Sequence, residues 1–491
     1  MTFAAHADRR FDVREFGAVG DGRTLDTDAI NAAIAAAAGG GTAVLPPGRY
    51  LSFSIRLHSD MTLMLEDGAT LVAADPARHR GTYDPPEGGA DLLYQDFGHS
   101  HWHNSLIWGE GLERVAIVGP GRIDGEGLTR DGPGARWAAQ TGERPLSMAG
   151  MSARQIAELE PPVASMRGLG NKAIALKRCR DVHIARLTII RAGHFAILAT
   201  GCEDIAIRDC TIDTNRDGID LDCVQRAAVE RCRVNTPNDD AICIKSSLAL
   251  GEIRHSQDIA IRDCTVTGWD AGTMLDGTHG RTQQLAPDRD RVTGRIKIGT
   301  ESNGDFRRIA VERCRFERSR GLAIETVDGG TIEDVTVRDL DMAEVTTAPL
   351  FLRLGDRRRG PKGTEVGAIR RVTIERVTAT GIDPRYAATL TALPDHPIED
   401  VTLRDITLVY EGGGEIRDDV PPLLADAYPE PSMFGPTPAW GLWCRHVAGL
   451  VVERLSLRTK QPDPRPEIVD EGATPTRHFG PVPWSATSEQ R

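Results

Sequence analysis

Three aspartates stand at one phase of a recurring pattern. Asp217 follows Cys210 by seven residues, in Asn215-Arg216-Asp217-Gly218, and Asp239 and Asp240 follow Cys232 by seven and eight, in Asn238-Asp239-Asp240-Ala241. Carboxylates gathered in one patch raise one another's pKa, because ionising the second places like charges side by side; a general acid working near neutral pH needs that shift. A solvated acidic turn would use the same residues, yet both clusters share a phase and each has an Asn nearby, which argues for a shared site. Arg295 and Lys297 flank Ile296, so in a strand both would point the same way with Ile296 inward. Two cations beside carboxylates suit an anionic sugar, since an Arg fork can grip a carboxylate at two atoms. The alternative is a salt bridge between neighbouring segments that neutralises the acids. His194, seven residues after Leu187, has the phase of Asp239. Glu325 and Asp328 lie further on and read equally as cleft lining or as a polar turn.

What must position these residues is a repeat. The segment from Ile205 to Ile212, Ile-Ala-Ile-Arg-Asp-Cys-Thr-Ile, returns with starts at Ala227, Ile259, Ile309, Val335, Val372, Val401 and Leu450, and an earlier copy starts at Val182. Apolar residues hold offsets 0, 2, 5 and 7, with alanine at two of those places. Two apolar residues alternating with a variable one make a short strand with one inward face. The polar pair that follows, Arg-Asp or Glu-Arg in most copies, turns the chain outside, and the next apolar pair starts another strand. Early copies are 22 and 23 residues apart and later ones fit one or two turns with insertions. A period near 22 built from short strands predicts a parallel β-solenoid, in which each coil buries its inward residues only against its neighbours. Leucine-rich repeats and propeller blades have other signatures. Cys210, Cys232, Cys264 and Cys314 fall in the inward column that Leu187, Leu340, Val377, Ile406 and Leu455 fill elsewhere, so they read as small buried hydrophobes.

Residues 1–60 read as an N-terminal cap, with a helix from about Asp26 to Ala38 stopped by the glycines at 39–41 and closing the open end of the barrel. Residues 61–460 carry the solenoid, with long loops near 75–105, 126–170 and 412–442, and 461–491 form a Pro-rich polar tail. Such loops are often functional.

The cap resembles the one common to many right-handed β-helix proteins, including pectin-degrading enzymes and phage tailspikes. Together with Asn215-Arg216-Asp217-Gly218, Asp239-Asp240 and Arg295-Ile296-Lys297 in that order, the chain resembles glycoside hydrolase family 28, the polygalacturonase and rhamnogalacturonase family, over roughly residues 11 to 410. The resemblance implies an all-β, right-handed parallel β-helix and hydrolysis of a uronate-containing pectic chain with inversion. It implies Asp239 as the general acid, Asp217 and Asp240 as the groups that position and deprotonate water, and Arg295 and Lys297 as binders of the uronate carboxylate; Asn215, from its motif, and His194, from its phase, complete the expected substrate-binding set. Inversion implies room for water between acid and base, about 6.5–9.5 Å. Two departures stand out. Arg216 replaces the usual Thr, and the family's Gly-His-Gly is missing, Ala271 standing where its histidine belongs. His194 is the candidate to compensate, with His279 a weaker one.

Composition limits the rest. The chain has 491 residues, 71 acidic against 59 basic, and a net charge of −12, which disfavours a sequence-independent nucleic-acid binder. Its 40% hydrophobic and 26% charged content fits a globular protein. The run Ala29 to Ala38 is interrupted by Asn31 and too short to cross a bilayer, so no membrane partner is expected. Nine cysteines without a Cys-x-x-Cys pair indicate neither a zinc ribbon nor a complete disulfide framework. The expected protein is a monomer without cofactor or metal. The N-terminus lacks an export pattern, so the chain reads as cytoplasmic as written, with an exported precursor left open. A calcium-dependent pectic lyase and a non-catalytic glycan-binding solenoid are the competing functions.

Overall fold

The computed structural model describes residues 9–87, 97–129, 166–288, 290–417, 419–471 and 477–479. Much of the loop expected at 126–170, part of that at 75–105 and most of the tail lie outside the described residues.

The architecture is the parallel solenoid that the repeat predicts, in the right-handed β-helix form that the resemblance implies. One parallel sheet of 24 strands and a second of 12 run the length of the described chain. In a representative coil, strands Glu203–Arg208 and Thr211–Asp213 contribute to the large sheet and strand Asp217–Asp222 to the small one. Register is held coil to coil. Ile205 pairs with Ala227 and Ala227 with Ile259, while Ile219 pairs with Ile242 and Ile242 with Ile296. The inward residues of both sheets, from Val13 to Leu455, form one continuous apolar core, as expected where coils bury their faces only by stacking.

The polar pair at each repeat is the corner. Its second residue adopts φ between 52° and 58° at Asp209, Arg231, Asp263, Arg313, Asp339, Arg376, Asp405 and Arg454, a left-handed conformation uncommon outside glycine and asparagine. Asp and Arg alternate along this column, and neighbours pair: Arg231 Nε to Asp209 at 2.7 Å, Arg313 to Asp263 at 2.7 Å and Arg376 to Asp339 at 2.6 Å. The alternation of Arg-Asp with Glu-Arg in the sequence is therefore a ladder of opposite charges across successive coils.

The column cysteines are buried and free, as are the remaining five. Cys210, Cys232 and Cys264 each donate a thiol hydrogen bond to the carbonyl two residues earlier, at 3.2–3.5 Å, so the column has a use for a small hydrophobe with a weak donor. The helix forms over Thr27–Ala37, with Ile30, Ala33, Ile34 and Ala37 buried. Asp26 precedes it, but its carboxylate accepts from the amides of Val19 and Gly20 instead of capping the helix.

Candidate active site

The outer face of the small sheet carries charge in columns. Along Asp217–Asp222 the chain alternates, Ile219 and Leu221 in the core and Asp220 and Asp222 facing out. Ile242–Ser246 does the same with Lys245, and Ile296–Ser302 with Lys297 and Glu301. Stacked strands bring these outward side chains within reach of each other.

Asp217, Asp239 and Asp240 converge as their phase predicts, with one carboxylate oxygen of each within 4.8 Å of the others. The three differ in surroundings. Asp239 is the accessible one, its side chain 26% exposed against 4% for Asp217 and 2% for Asp240. Arg216 donates to Asp239 at 2.6 Å, so the residue replacing the usual Thr adds a cation directly on that carboxylate. Burial, then the neighbouring Asp239 and Asp220, push Asp217 well above the ordinary carboxylate range. Burial would also raise Asp240, but Lys297 and Arg295 outweigh it and hold Asp240 below that range. Asp217, the acid with the raised pKa, therefore stands beside two carboxylates that each face a cation.

Arg295 and Lys297 do point the same way, and both reach Asp240. Arg295 Nε donates to Asp240 at 2.7 Å, and Lys297 Nζ contacts its other oxygen. The Arg295 fork is not open to a ligand. Its two terminal nitrogens donate to Glu430 at 2.9 and 2.7 Å. Asn215 is half-buried and accepts a hydrogen bond from the Asn238 amide, linking the two motifs.

His194 lies beside the acids, its Nε2 3.9 Å from Asp217 Oδ2 and its ring stacked on Phe195 at 4.3 Å. Burial, then Arg216, push its pKa well below 6.5, so it is neutral. His279 is exposed and stacks on Trp269, and Ala271 is exposed as well. Glu325 is fully buried. Its Oε2 accepts from Thr300 at 2.8 Å, and burial pushes its pKa up to about 7 against the pull of Arg295 and Lys297. Asp328 accepts from Arg357 and from the Arg359 amide, which makes it an anchor.

Several residues of the site were not foreseen. Lys245 donates to Asp220 and lies 2.5 Å from His99 Nε2. Burial pushes Asp220 up to about 6, with Lys245 opposing. Arg320 binds Asp288 at 2.6 Å and approaches Glu430 at 3.1 Å. Alternation in 217–222 and 242–246 could have marked Asp220 and Lys245. Nothing local marks His99, in the short helix Phe97–Ser100, or Glu430, just before the turn Pro431–Phe434, since both lie outside the repeat.

Two cavities flank the acids. One of about 200 Å³ holds Arg216, Asp239, Arg295, Lys297, Arg320 and Glu430. The other, about 590 Å³, meets the cluster only at Asn215 and is otherwise walled by residues such as Arg191, Gly193, Ala271 and Leu275. The chemistry belongs with the smaller one, which contains Asp239. The three acids could in principle hold a metal ion, but a dication would have to displace the cations already on Asp239 and Asp240.

The family described as rhamnogalacturonase A/epimerase, pectate lyase-like, matches residues 10–74. A probable polygalacturonase of Vitis vinifera is 25% identical over 419 residues, spanning 80% of this chain and 73% of that protein. An exo-poly-alpha-D-galacturonosidase of Dickeya chrysanthemi is 25% identical over 264 residues, half of this chain and 43% of its own length. An exopolygalacturonase structure from Thermotoga maritima superposes with a TM-score of 0.61 at 20% identity, covering 92% of each chain. The β-helix, the order of the Asp and Arg-Ile-Lys motifs along it and these relatives agree, and together they support a polygalacturonase-like protein of the glycoside hydrolase family 28 type.

Proposed function

We propose that the protein is a glycoside hydrolase that cleaves a uronate-containing pectic polysaccharide or oligosaccharide. The observation that carries this reading is the convergence of Asp217, Asp239 and Asp240 at the edge of a cavity, with Asp217 pushed upward by burial and Asp240 held down by Lys297 and Arg295. The polygalacturonase relatives supply the substrate class.

Asp217 and Asp239 act as a pair sharing one proton. Asp217 holds it at rest while Asp239 pairs with Arg216. Substrate entering beside Asp239 shifts the proton onto that accessible carboxyl. Asp239 then gives it to the glycosidic oxygen as the bond to the anomeric carbon breaks. Water adds to that carbon and yields its proton to Asp217, whose burial makes it the more basic member. Asp240, kept anionic by Arg295 and Lys297, orients the water. Asp217 then holds the shared proton again and Asp239 is back beside Arg216, which is the resting state, so protons balance over the cycle. The strap at 412–442 walls the cavity through Glu430, which suits short substrates or chain ends.

A second stereochemical reading is retention, with one of the aspartates as nucleophile. Carboxyl pairs about 5–5.5 Å apart typify retention, whereas inversion normally uses about 6.5–9.5 Å. Inversion would have water held on the Asp217–Asp240 flank. Proton NMR of the first product decides: the opposite anomer appearing first is expected, and the same anomer would transfer the nucleophile role to one of the buried aspartates.

The test of function is reducing-end release from homogalacturonan, rhamnogalacturonan and their oligosaccharides in EDTA, comparing the wild type with Asp239→Asn. Turnover that survives EDTA and is lost in the variant is expected. Activity that needs calcium and leaves an ultraviolet-absorbing product would point to a lyase. Affinity without turnover would point to a glycan-binding solenoid.

A further inference from the structure

In the smaller cavity, positive charge is already matched. Arg216 faces Asp239, Lys297 faces Asp240, Arg295 faces Asp240 and Glu430, and Arg320 faces Asp288 and Glu430. The contact between Arg295 and Glu430 is fork to fork, two parallel N–H···O bonds at 2.9 and 2.7 Å, the geometry a guanidinium offers to a bound carboxylate. Arg320 Nη1 adds a third approach to the same group at 3.1 Å. Glu430 does not belong to the sheet that carries the acids. It stands just before the short helical turn Pro431–Phe434 in the strap, more than a hundred residues from Arg295 in sequence, and its side chain is 15% exposed. A sugar carboxylate entering here would meet a like charge already seated on the same guanidinium.

We infer that Glu430 is a specificity-determining residue that occupies the carboxylate position of this subsite, so that the sugar bound beside Asp239 is an uncharged one. An uncharged ring keeps Arg295 and Arg320 paired and needs only hydroxyl contacts. A charged ring must displace Glu430 and leave its carboxylate without those partners, a cost that falls on one substrate and not on the other. The uncharged ring could be a neutral sugar alternating with uronate or a methyl-esterified uronate, which share the absence of the anion. The inference rests on the carbohydrate-cleaving reading for its kinetic arm only.

The kinetic arm compares kcat/KM for a fully ionised oligogalacturonide, its methyl ester and a rhamnogalacturonan oligosaccharide. For the wild type we expect the ionised substrate to be at least tenfold poorer than whichever uncharged-subsite substrate is used. Glu430→Gln should narrow that ratio by tenfold or more, through KM, and Glu430→Asp should restore it. Methyl ester and rhamnogalacturonan oligosaccharide separate the two sources of the uncharged ring. A wild type that turns over the ionised oligogalacturonide as well as the others, or a folded Glu430→Gln enzyme with an unchanged ratio, overturns the inference. The binding arm needs no turnover: calorimetry of trigalacturonide with Asp239→Asn and with Asp239→Asn/Glu430→Gln. At least tenfold tighter binding by the double variant is expected, and equal affinities refute the role of Glu430. Absence of hydrolysis by the wild type would sink the hydrolase reading while this arm still decides the subsite. If removing the carboxylate prevents folding, as melting would show, the wild-type substrate ratio alone remains decisive.

Discussion

Asp217 is raised by burial and by the carboxylates of Asp239 and Asp220, while Asp240 is held down by Lys297 and Arg295. Activity through a pair sharing one proton needs that proton present, so it falls as pH drops and both members protonate, and falls again as pH rises and Asp217 gives up its proton. Because Asp217 is shifted upward, the alkaline limb of kcat/KM should lie well above the ordinary carboxylate value of 3.8. The two apparent pKa values belong to the pair. Asp217→Asn should remove the base and cut kcat by a factor on the order of 10²–10⁴, the usual range for a lost acid–base group. An alkaline limb in the ordinary carboxylate range would remove the proton-sharing scheme. His194, neutral and 3.9 Å from Asp217, tests the compensation for the missing Gly-His-Gly: His194→Ala should lower activity and move the alkaline limb, whereas a packing role would change stability without moving it.

At the scale of elements, the site depends on loops tied to strand ends. Asp213, last residue of strand Thr211–Asp213, is buried and accepts from the amides of Gly272, Met274 and Leu275 and from the Asn235 side chain. It thereby pins the insertion that carries Ala271 to the coil bearing Asp217. Asp213→Ala would strand those donors at about 1–3 kcal/mol for each group left unsatisfied. We expect a loss on the order of 3 kcal/mol by chemical denaturation and faster proteolysis within 270–285; an unchanged midpoint and cleavage rate would show that water replaces the carboxylate. The corner ladder works differently. Its pairs are half-exposed, with Arg231 51% and Asp209 42% accessible, and exposed pairs contribute little stability. Their effect is on register, since a one-residue slip would set Asp209 against Glu230 or Arg208 against Arg231.

For the whole molecule, one apolar core runs through stacked coils and all nine cysteines are buried and free. Ellman's reagent should therefore find no reactive thiol in the native protein and nine after unfolding; rapid labelling of the native protein would contradict the packing of the cysteine column. That column, the solenoid and the meeting of Asp217 with Asp239 and Asp240 were legible from the sequence, because a stacked repeat converts phase along the chain into proximity in space. The same rule aligned Arg295 with Lys297 on one side of Ile296. Phase could not say what each charged group would meet. Glu430 and His99 come from segments outside the repeat, so no periodicity places them, yet Glu430 takes the Arg295 fork and Lys245 reaches His99. Nor could it divide the three aspartates by proton affinity, which depends on how deeply each is buried and which cation lies against it. The coil and the side of it on which the acids gather follow from local alternation repeated in register, and so were readable without the fold. How deeply each acid is buried, which cation it meets, and that Glu430 already takes the Arg295 fork came from the fold alone, since desolvation and ion pairing are set by atoms brought in from distant parts of the chain.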